Sequence, residues 1–318
     1  MEFIRGQHNL RHRHHGCVAT IGNFDGVHLG HQAVLRQLAE KAALFQLPRV
    51  VVIFEPQPQE FFAPRAVPAR LTRLREKLLA LAEQGVERVL CLKFDQQLAA
   101  TPAQTFIQEL LVRQLGIRYL VVGDDFRFGH GRIGNFTLLC QSGEQHGFQV
   151  ANTHSYIFAG ERVSSTRVRQ ALVQGKLTLA KQLLGRSYAM CGRVAHGDKR
   201  GRHLGFPTAN IHLHRRITPL SGVYAVLVHG VGAHPLPGVA NVGRRPTVNG
   251  TRDQLEVHLF DFHQDIYGYH VQVDFLHHFR PEWHFASLEA LRQQIIQDAN
   301  QARAYFVEHL PASMAHHG

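Results

Sequence analysis

Apolar and polar positions follow two different rhythms along this chain, and the change falls near residue 185. Before it, short apolar runs at 17–21, 50–54, 88–92, 119–122 and 148–152 read as strands. Between them, stretches at 31–45, 71–84, 103–115 and 136–146 repeat apolar residues at helical spacing, and helical patterns at 165–174 and 177–184 close this half. Strand–helix alternation with short links predicts a parallel sheet covered by helices on both faces. After Gly185, Gly and Pro become frequent, and short alternating runs at 188–195, 222–228, 255–260 and 270–275 predict a small antiparallel barrel. A terminal helix follows, with Ser287 at its N-cap and Leu288, Leu291, Ile295 and Ile296 on one face. The fold class is therefore α/β plus a β-barrel, in two domains, 1–185 and 186–318.

Composition narrows the function classes. The 318 residues are 44% hydrophobic and 19% charged, ordinary for a chain with a sizeable core. No apolar stretch approaches the roughly 18 residues of a membrane span, and residues 1–16 are basic and His-rich, without the apolar run of a secretory signal. Four scattered cysteines (Cys17, Cys91, Cys140, Cys191) form no CxxC pair, which suits free thiols in a reducing cytoplasm. Net charge is +11: residues 1–186 carry 23 basic and 14 acidic groups (+9), and the remainder 12 and 10 (+2). A basic first half fits nucleic acid or small anionic substrates. With no long Lys/Arg run and no aromatic-rich RNA-binding signature, phosphorylated small molecules fit at least as well. The 24 histidines show no HExxH, and most are single.

The candidate chemistry begins at TIGNFDGVHLGH (20–31), which links the first strand to the first helix. In open α/β sheets ligands bind at that carboxyl end. Gly22, Gly26 and Gly30 let backbone approach a ligand, and a helix N-terminus favours phosphate. His28 and His31, three apart on a first turn, share a side and are candidate catalytic donors to a phosphate gaining charge. No Walker A loop occurs. VSSTRVR (163–169) puts Ser164, Ser165 and Thr166 at a predicted helix start, with Arg167 and Arg169 supplying charge; an N-cap followed by surface arginines reads the same way. GDDFRFGHG (123–131) follows the fourth strand and by itself is an ordinary strand-to-helix loop.

In the second half, GRVAHGDKRGRHLGFPTAN (192–210) mixes glycines with cations. Gly197, Lys199, Gly201 and Gly205, with Arg200 and Arg202, suit either a phosphate-covering loop or a basic hairpin turn. Thr208 and Asn210 share one face of an extended strand, and their oxygens suit Mg²⁺. In QLEVHLF (254–260), Leu255, Val257 and Leu259 take one face, Glu256 and His258 the other. That is a strand with a solvated face, or one that presents Glu256 as general base to a primary alcohol.

Taken together these runs resemble the bacterial family that joins a riboflavin kinase to an FMN adenylyltransferase. GNFDGVHLGH (22–31) resembles the HxGH signature of nucleotidyltransferases in its flavin-adenylylating variant, which implies ATP contacts for Gly22, Asn23, Phe24, Asp25 and Gly30. VSSTRVR resembles the second motif, closing Ser164, Ser165, Thr166 and Arg169 over ATP phosphates. The 123–131 run resembles the flavin/nucleotide loop, with Gly123, Asp125, Phe126 and Phe128. The 192–210 run, SGVYAV (221–226), NVGRRPT (241–247) and LEVHLFDF (255–262) match riboflavin kinase. The resemblance spans about residues 16–306. It implies a Rossmann-like nucleotidyltransferase domain and a kinase barrel, with riboflavin, FMN and ATP as substrates, FMN and FAD as products, and Mg²⁺ accompanying ATP. It implies no nucleic-acid or membrane partner, puts Thr208 and Asn210 on Mg-ATP, and makes Glu256 the base. Asp124 stands where Glu is frequent, His203 where Thr is frequent, and Gln57 where His is, so Gln57 receives no catalytic part. The rival readings are an HxGH transferase for another acceptor, such as nicotinamide mononucleotide or phosphopantetheine, and a basic nucleic-acid-binding protein.

Overall fold

A computed structural model describes residues 1–123, 125–153, 155–196, 205–215, 217–247 and 250–309. The chain forms two compact units, Met1–Pro68 with Thr72–Ser165, and Ala69–Leu71 with Thr166–Gly318.

The first unit holds a six-stranded sheet of β1 (Glu2–Arg5), β2 (Cys17–Ile21), β3 (Arg49–Glu55), β4 (Arg88–Lys93), β5 (Ile117–Gly123) and β6 (Gln149–Thr153). Their order is β1-β4-β3-β2-β5-β6 and every pairing is parallel. Strands buried on both faces need continuous apolar runs, and successive residues split accordingly. Ala19, Ile21, Val52 and Leu90 face one core with Ile107, Leu111 and Leu139 from helices, and Val18, Val51, Ile53 and Val89 face another with Leu35, Leu38 and Leu81. Helices thus cover both faces, as the alternation predicts. The chain passes from β2 to β3 on one side and places β5 on the other, so the topological switch point lies at the end of β2.

Helix boundaries shift where side chains compete with the helix. The helical pattern at 71–84 begins at Leu74, because Arg73 N–H is capped by Glu76 (2.7 Å) and Thr72 N–H is taken by Asp25. The 103–115 pattern is one helical run to Gln114, wound as a π-helix from Phe106. A two-residue hairpin, β7 (Ile157–Phe158) with β8 (Glu161–Arg162), precedes the helix Ser165–Val173.

The second unit is a closed antiparallel barrel of β9 (Tyr188–Ala195), β10 (Ala209–His212), β11 (Gly222–His229), β12 (Leu236–Thr247), β13 (Gly250–Leu259) and β14 (His270–Arg280), ordered β10-β13-β12-β11-β14-β9. The helix Leu177–Leu184 buries Leu177, Ala180, Leu183 and Leu184 against β9 and β14. The segment Ala69–Leu71 also belongs here: Arg169 Nε donates to Ala69 O (2.6 Å), and Arg215 Nη1 to Arg70 O (2.7 Å). Ser287 caps the terminal helix Leu288–His309, its Oγ accepting from Ala290 N–H. The face of Leu288, Leu291, Ile295 and Ile296 is not the one that seats that helix, since Leu288 is exposed and the other three half-buried. Ala299, Ala302 and Phe306 are buried instead, against Val223, Ala225, Val239 and Phe260 of the barrel, because two alanines let the backbones approach. No described helix is long and apolar enough to cross a membrane.

Candidate active sites

The loop from β2 into the helix Leu29–Phe45 occupies the switch point. Its backbone is strained: φ is 47° at Phe24, 87° at Gly26 and 43° at Val27, and only glycine adopts such angles without cost. Burial of Phe24 and Val27 holds the shape. His28 is the N-cap, and its Nδ1 accepts the His31 N–H at 3.3 Å. The two imidazoles stack at 3.7 Å and 17°, with Phe24 4.9 Å from His31. His31 Nδ1 is sealed from solvent and makes no hydrogen bond among the described residues. Burial, then the charges of His28, Lys77 and Arg162, hold the His31 imidazole well below its usual range, so it is neutral near pH 7. The expected pairing of His28 with His31 is therefore present, as a stack in which His31 is neutral.

The second motif lies against the first. Ser165 Oγ donates to Asp25 O at 2.9 Å, and Val163 O is 3.2 Å from where a Gly30 side chain would begin. Asp25 is buried, and its Oδ1 accepts from Thr72 N–H (3.0 Å) and Thr72 Oγ (3.2 Å). A Cβ at Gly22 would lie 3.2 Å from the Phe24 ring, Asn23 is exposed, and Ser164 is half-buried. Thr166 is exposed at the start of its helix, while Arg169 commits Nε to Ala69 O. In the 123–131 loop, Asp125 pairs with Arg162 (3.3 Å), and Gly123 ends β5. Phe126 and Phe128 stack at 5.5 Å, with Phe128 buried against Phe106. Gln57 is buried at the end of β3 and caps the helix Pro58–Phe62 through its N–H to Glu60.

The barrel carries a second constellation. Glu256 of β13 lies directly opposite Asn210 of β10 on one side and Asn241 of β12 on the other. Directly paired residues share a sheet face, so the three form a polar row, opposite the buried Leu255 and Val257. Glu256 is half-buried, as is Thr208. Asn210 is buried and its Oδ1 accepts from Gln254 Nε2. His258, on the Glu256 face, donates Nδ1–H to Pro207 O at 2.9 Å and so pins the segment before Thr208 to β13. Burial pushes its pKa down against that bond. Gly205 has φ 87° and open space around it. Gly197, Lys199 and Gly201, with Arg200, Arg202 and His203, lie outside the described residues, as does Asp124. The donors at Thr208 and Asn210 are a hydroxyl and an amide oxygen, hard ligands that fit Mg²⁺.

Sequence reasoning missed Thr72, Asn241, Arg162 and Lys77. Asn241 shows itself only once β12 pairs with β13, and Lys77, fully buried, only through its charge at His31.

Residues 10–167 match the FAD synthetase family, and residues 184–306 the riboflavin kinase family. An Escherichia coli K12 protein named bifunctional riboflavin kinase/FMN adenylyltransferase is 55% identical over 307 residues, covering 96% of this chain and 98% of its own. One of the same name from Haemophilus influenzae is 49% identical over 306 residues, covering 96% and 99%. A crystal structure from Streptococcus pneumoniae, described as a macrolide-efflux protein, is 31% identical with a TM-score of 0.82, covering 95% of this chain and 99% of that one.

Proposed function

The chain belongs to the bifunctional riboflavin kinase/FMN adenylyltransferase family, and from that premise we propose how its residues divide the two reactions. The protein phosphorylates riboflavin to FMN with ATP, and transfers the adenylyl group of a second ATP to FMN, giving FAD and pyrophosphate. We assign adenylyl transfer to residues 1–185 and the kinase to residues 186–318, in a cytoplasmic enzyme; its four cysteines are free thiols.

The observation that carries the first assignment is the His28–His31 stack at the switch point, with His31 buried and neutral. An oxygen of the FMN phosphate attacks the α-phosphorus of ATP in line, a P–O bond forms, and the bond to the β-phosphate oxygen breaks as pyrophosphate leaves. The two imidazoles act as hydrogen-bond donors to oxygens gaining charge, His31 as a neutral, fixed dipole. Ser164, Ser165, Thr166 and Arg169 meet the ATP phosphates at a helix start. Gly22, Asn23, Phe24, Asp25 and Gly30 shape the loop, and Gly123, Asp125, Phe126 and Phe128 line the flavin/nucleotide side.

In the barrel, Glu256 takes the proton of riboflavin's primary hydroxyl as that oxygen attacks the γ-phosphorus and ADP leaves. Asn210 and Asn241 flank and orient the carboxylate. Thr208 and Asn210 would hold Mg²⁺, which neutralises phosphate charge when bound with ATP. To Gly197, Lys199, Gly201 and Gly205 we assign binding of those phosphates.

The test is incubation with riboflavin, ATP and Mg²⁺ followed by separation of the flavins. His31→Ala stops at FMN, with FAD formation down about 100- to 1000-fold. Glu256→Gln slows FMN formation about 100- to 10,000-fold while added FMN is still adenylylated. Wild-type FAD output from His31→Ala, or loss of both activities in Glu256→Gln, overturns the assignment.

A further inference from the structure

Thr72 is buried, and its N–H and hydroxyl are bonded to the strained loop. Its N–H donates to Asp25 Oδ1 at 3.0 Å, and its hydroxyl donates to the same oxygen at 3.2 Å. That hydroxyl in turn accepts the Gly26 N–H at 2.9 Å. One side chain therefore closes a ring through Asp25 and Gly26, the middle of the stretch whose φ angles are 47°, 87° and 43°. Two residues on, His28 begins the helix that carries the histidine stack. From the other side, Ser165 Oγ holds the Asp25 carbonyl.

We infer that Thr72 is a positioning residue for adenylyl transfer: its hydroxyl holds the Asp25–Gly26 turn in the form that sets His28 and His31 against the reacting phosphate. The inference rests on the assignment of adenylyl transfer to the His28–His31 loop. It goes beyond that assignment because Thr72 lies in a different segment of the chain and acts only through Asp25 and Gly26. Valine has the same shape without the hydroxyl, so Thr72→Val removes the bonds that the hydroxyl makes to Gly26 N–H and Asp25 Oδ1 while filling the same space. The turn then relaxes toward less strained angles, and displacement of a catalytic group by about 1 Å costs on the order of 100-fold in rate. Serine keeps the hydroxyl.

Full-length Thr72→Val, Thr72→Ser and His31→Ala are compared with wild type for kcat and KM in FAD formation from added FMN. Rates are normalised to the folded fraction read by circular dichroism, and riboflavin phosphorylation is followed alongside. The expected result is a kcat for Thr72→Val lower by about tenfold to 100-fold, KM for ATP changed less than threefold, phosphorylation unchanged, and most of the rate restored in Thr72→Ser. If His31→Ala itself retains wild-type FAD formation, the site assignment fails and Thr72 falls with it. If His31→Ala is impaired but Thr72→Val turns over normally, or Thr72→Ser is no better than Thr72→Val, the assignment stands and the role of Thr72 is refuted.

Discussion

Replacing Gly30 by alanine separates the catalytic from the structural work of the first loop. A Cβ at Gly30 would lie 3.1 Å from Cε1 and Nδ1 of His28 and 3.2 Å from the Val163 carbonyl. Neither neighbour yields easily. The His28 ring is already stacked at 3.7 Å on His31 and accepts its N–H, and Val163 is buried with its own N–H bonded to Tyr156 O at 2.8 Å. The stability terms nearly cancel. Alanine within a helix gains about 1 kcal/mol over glycine, and a disturbed N-cap loses about 1 kcal/mol. The folded state is therefore changed by no more than about 1 kcal/mol. The chemistry has no such compensation, because the same few tenths of an ångström displace a histidine whose placement sets the rate. Adenylylation of added FMN should fall at least about tenfold, while riboflavin phosphorylation and the thermal midpoint stay near wild type. Separating FMN from FAD over a time course, next to a melting curve, provides the assay. A variant that turns over normally would show that the His28 ring has room to move, and a rate loss matched by lost folded protein would make Gly30 structural only.

Two further outcomes follow from burial and packing. His31 titrates near 6.5 when unfolded and lower when folded, because of burial first and then its charged neighbours. The unfolded chain therefore binds the extra proton, and this contribution to stability, full above pH 6.5, is lost on acidification by up to about 1.4 kcal/mol per pH unit. His31→Asn should flatten the drop in urea stability between pH 6.5 and 5, and parallel wild-type and variant curves would contradict this. A fragment starting at Arg186 omits the helix that buries Leu177, Leu183 and Leu184. At about 1.5–3 kcal/mol per buried leucine, it should unfold several kcal/mol more easily than one starting at Val163, and equal stabilities by urea titration would count against that packing.

What could be read from the sequence depended on how local the signal was. The run 17–21 and the helix 136–146 match residue for residue, since continuous apolar strands and capped amphipathic helices announce themselves within a few residues. β12 went unseen because its residues 236–247 mix Pro, Gly and Arg, and its strand state comes from two long neighbours. Among site residues, His28 and His31 were legible because three-residue spacing from an N-cap into the first turn is enough to bring them together. Thr72 was not: its partner Asp25 lies 47 residues away, and no periodicity records a contact of that range. The seat of the terminal helix was misplaced for a related reason, as alanines that allow close approach look weaker in sequence than the leucines and isoleucines left half-covered.

The first strand, Glu2–Arg5, carries a consequence for anyone trimming the protein. It pairs with β4 along residues 88–91 and closes that side of the first sheet, yet it lies outside the matched family region, which begins at residue 10. Cutting at that limit would strip the guard from β4 and leave the backbone of Val89, Leu90 and Cys91 as an open apolar edge, the kind of surface along which chains add to one another. The charged side chains of Glu2 and Arg5 would go with it. An N-terminal truncation chosen from the family boundary would be expected to drive self-association on expression, while the same chain kept from Met1 remains dispersed.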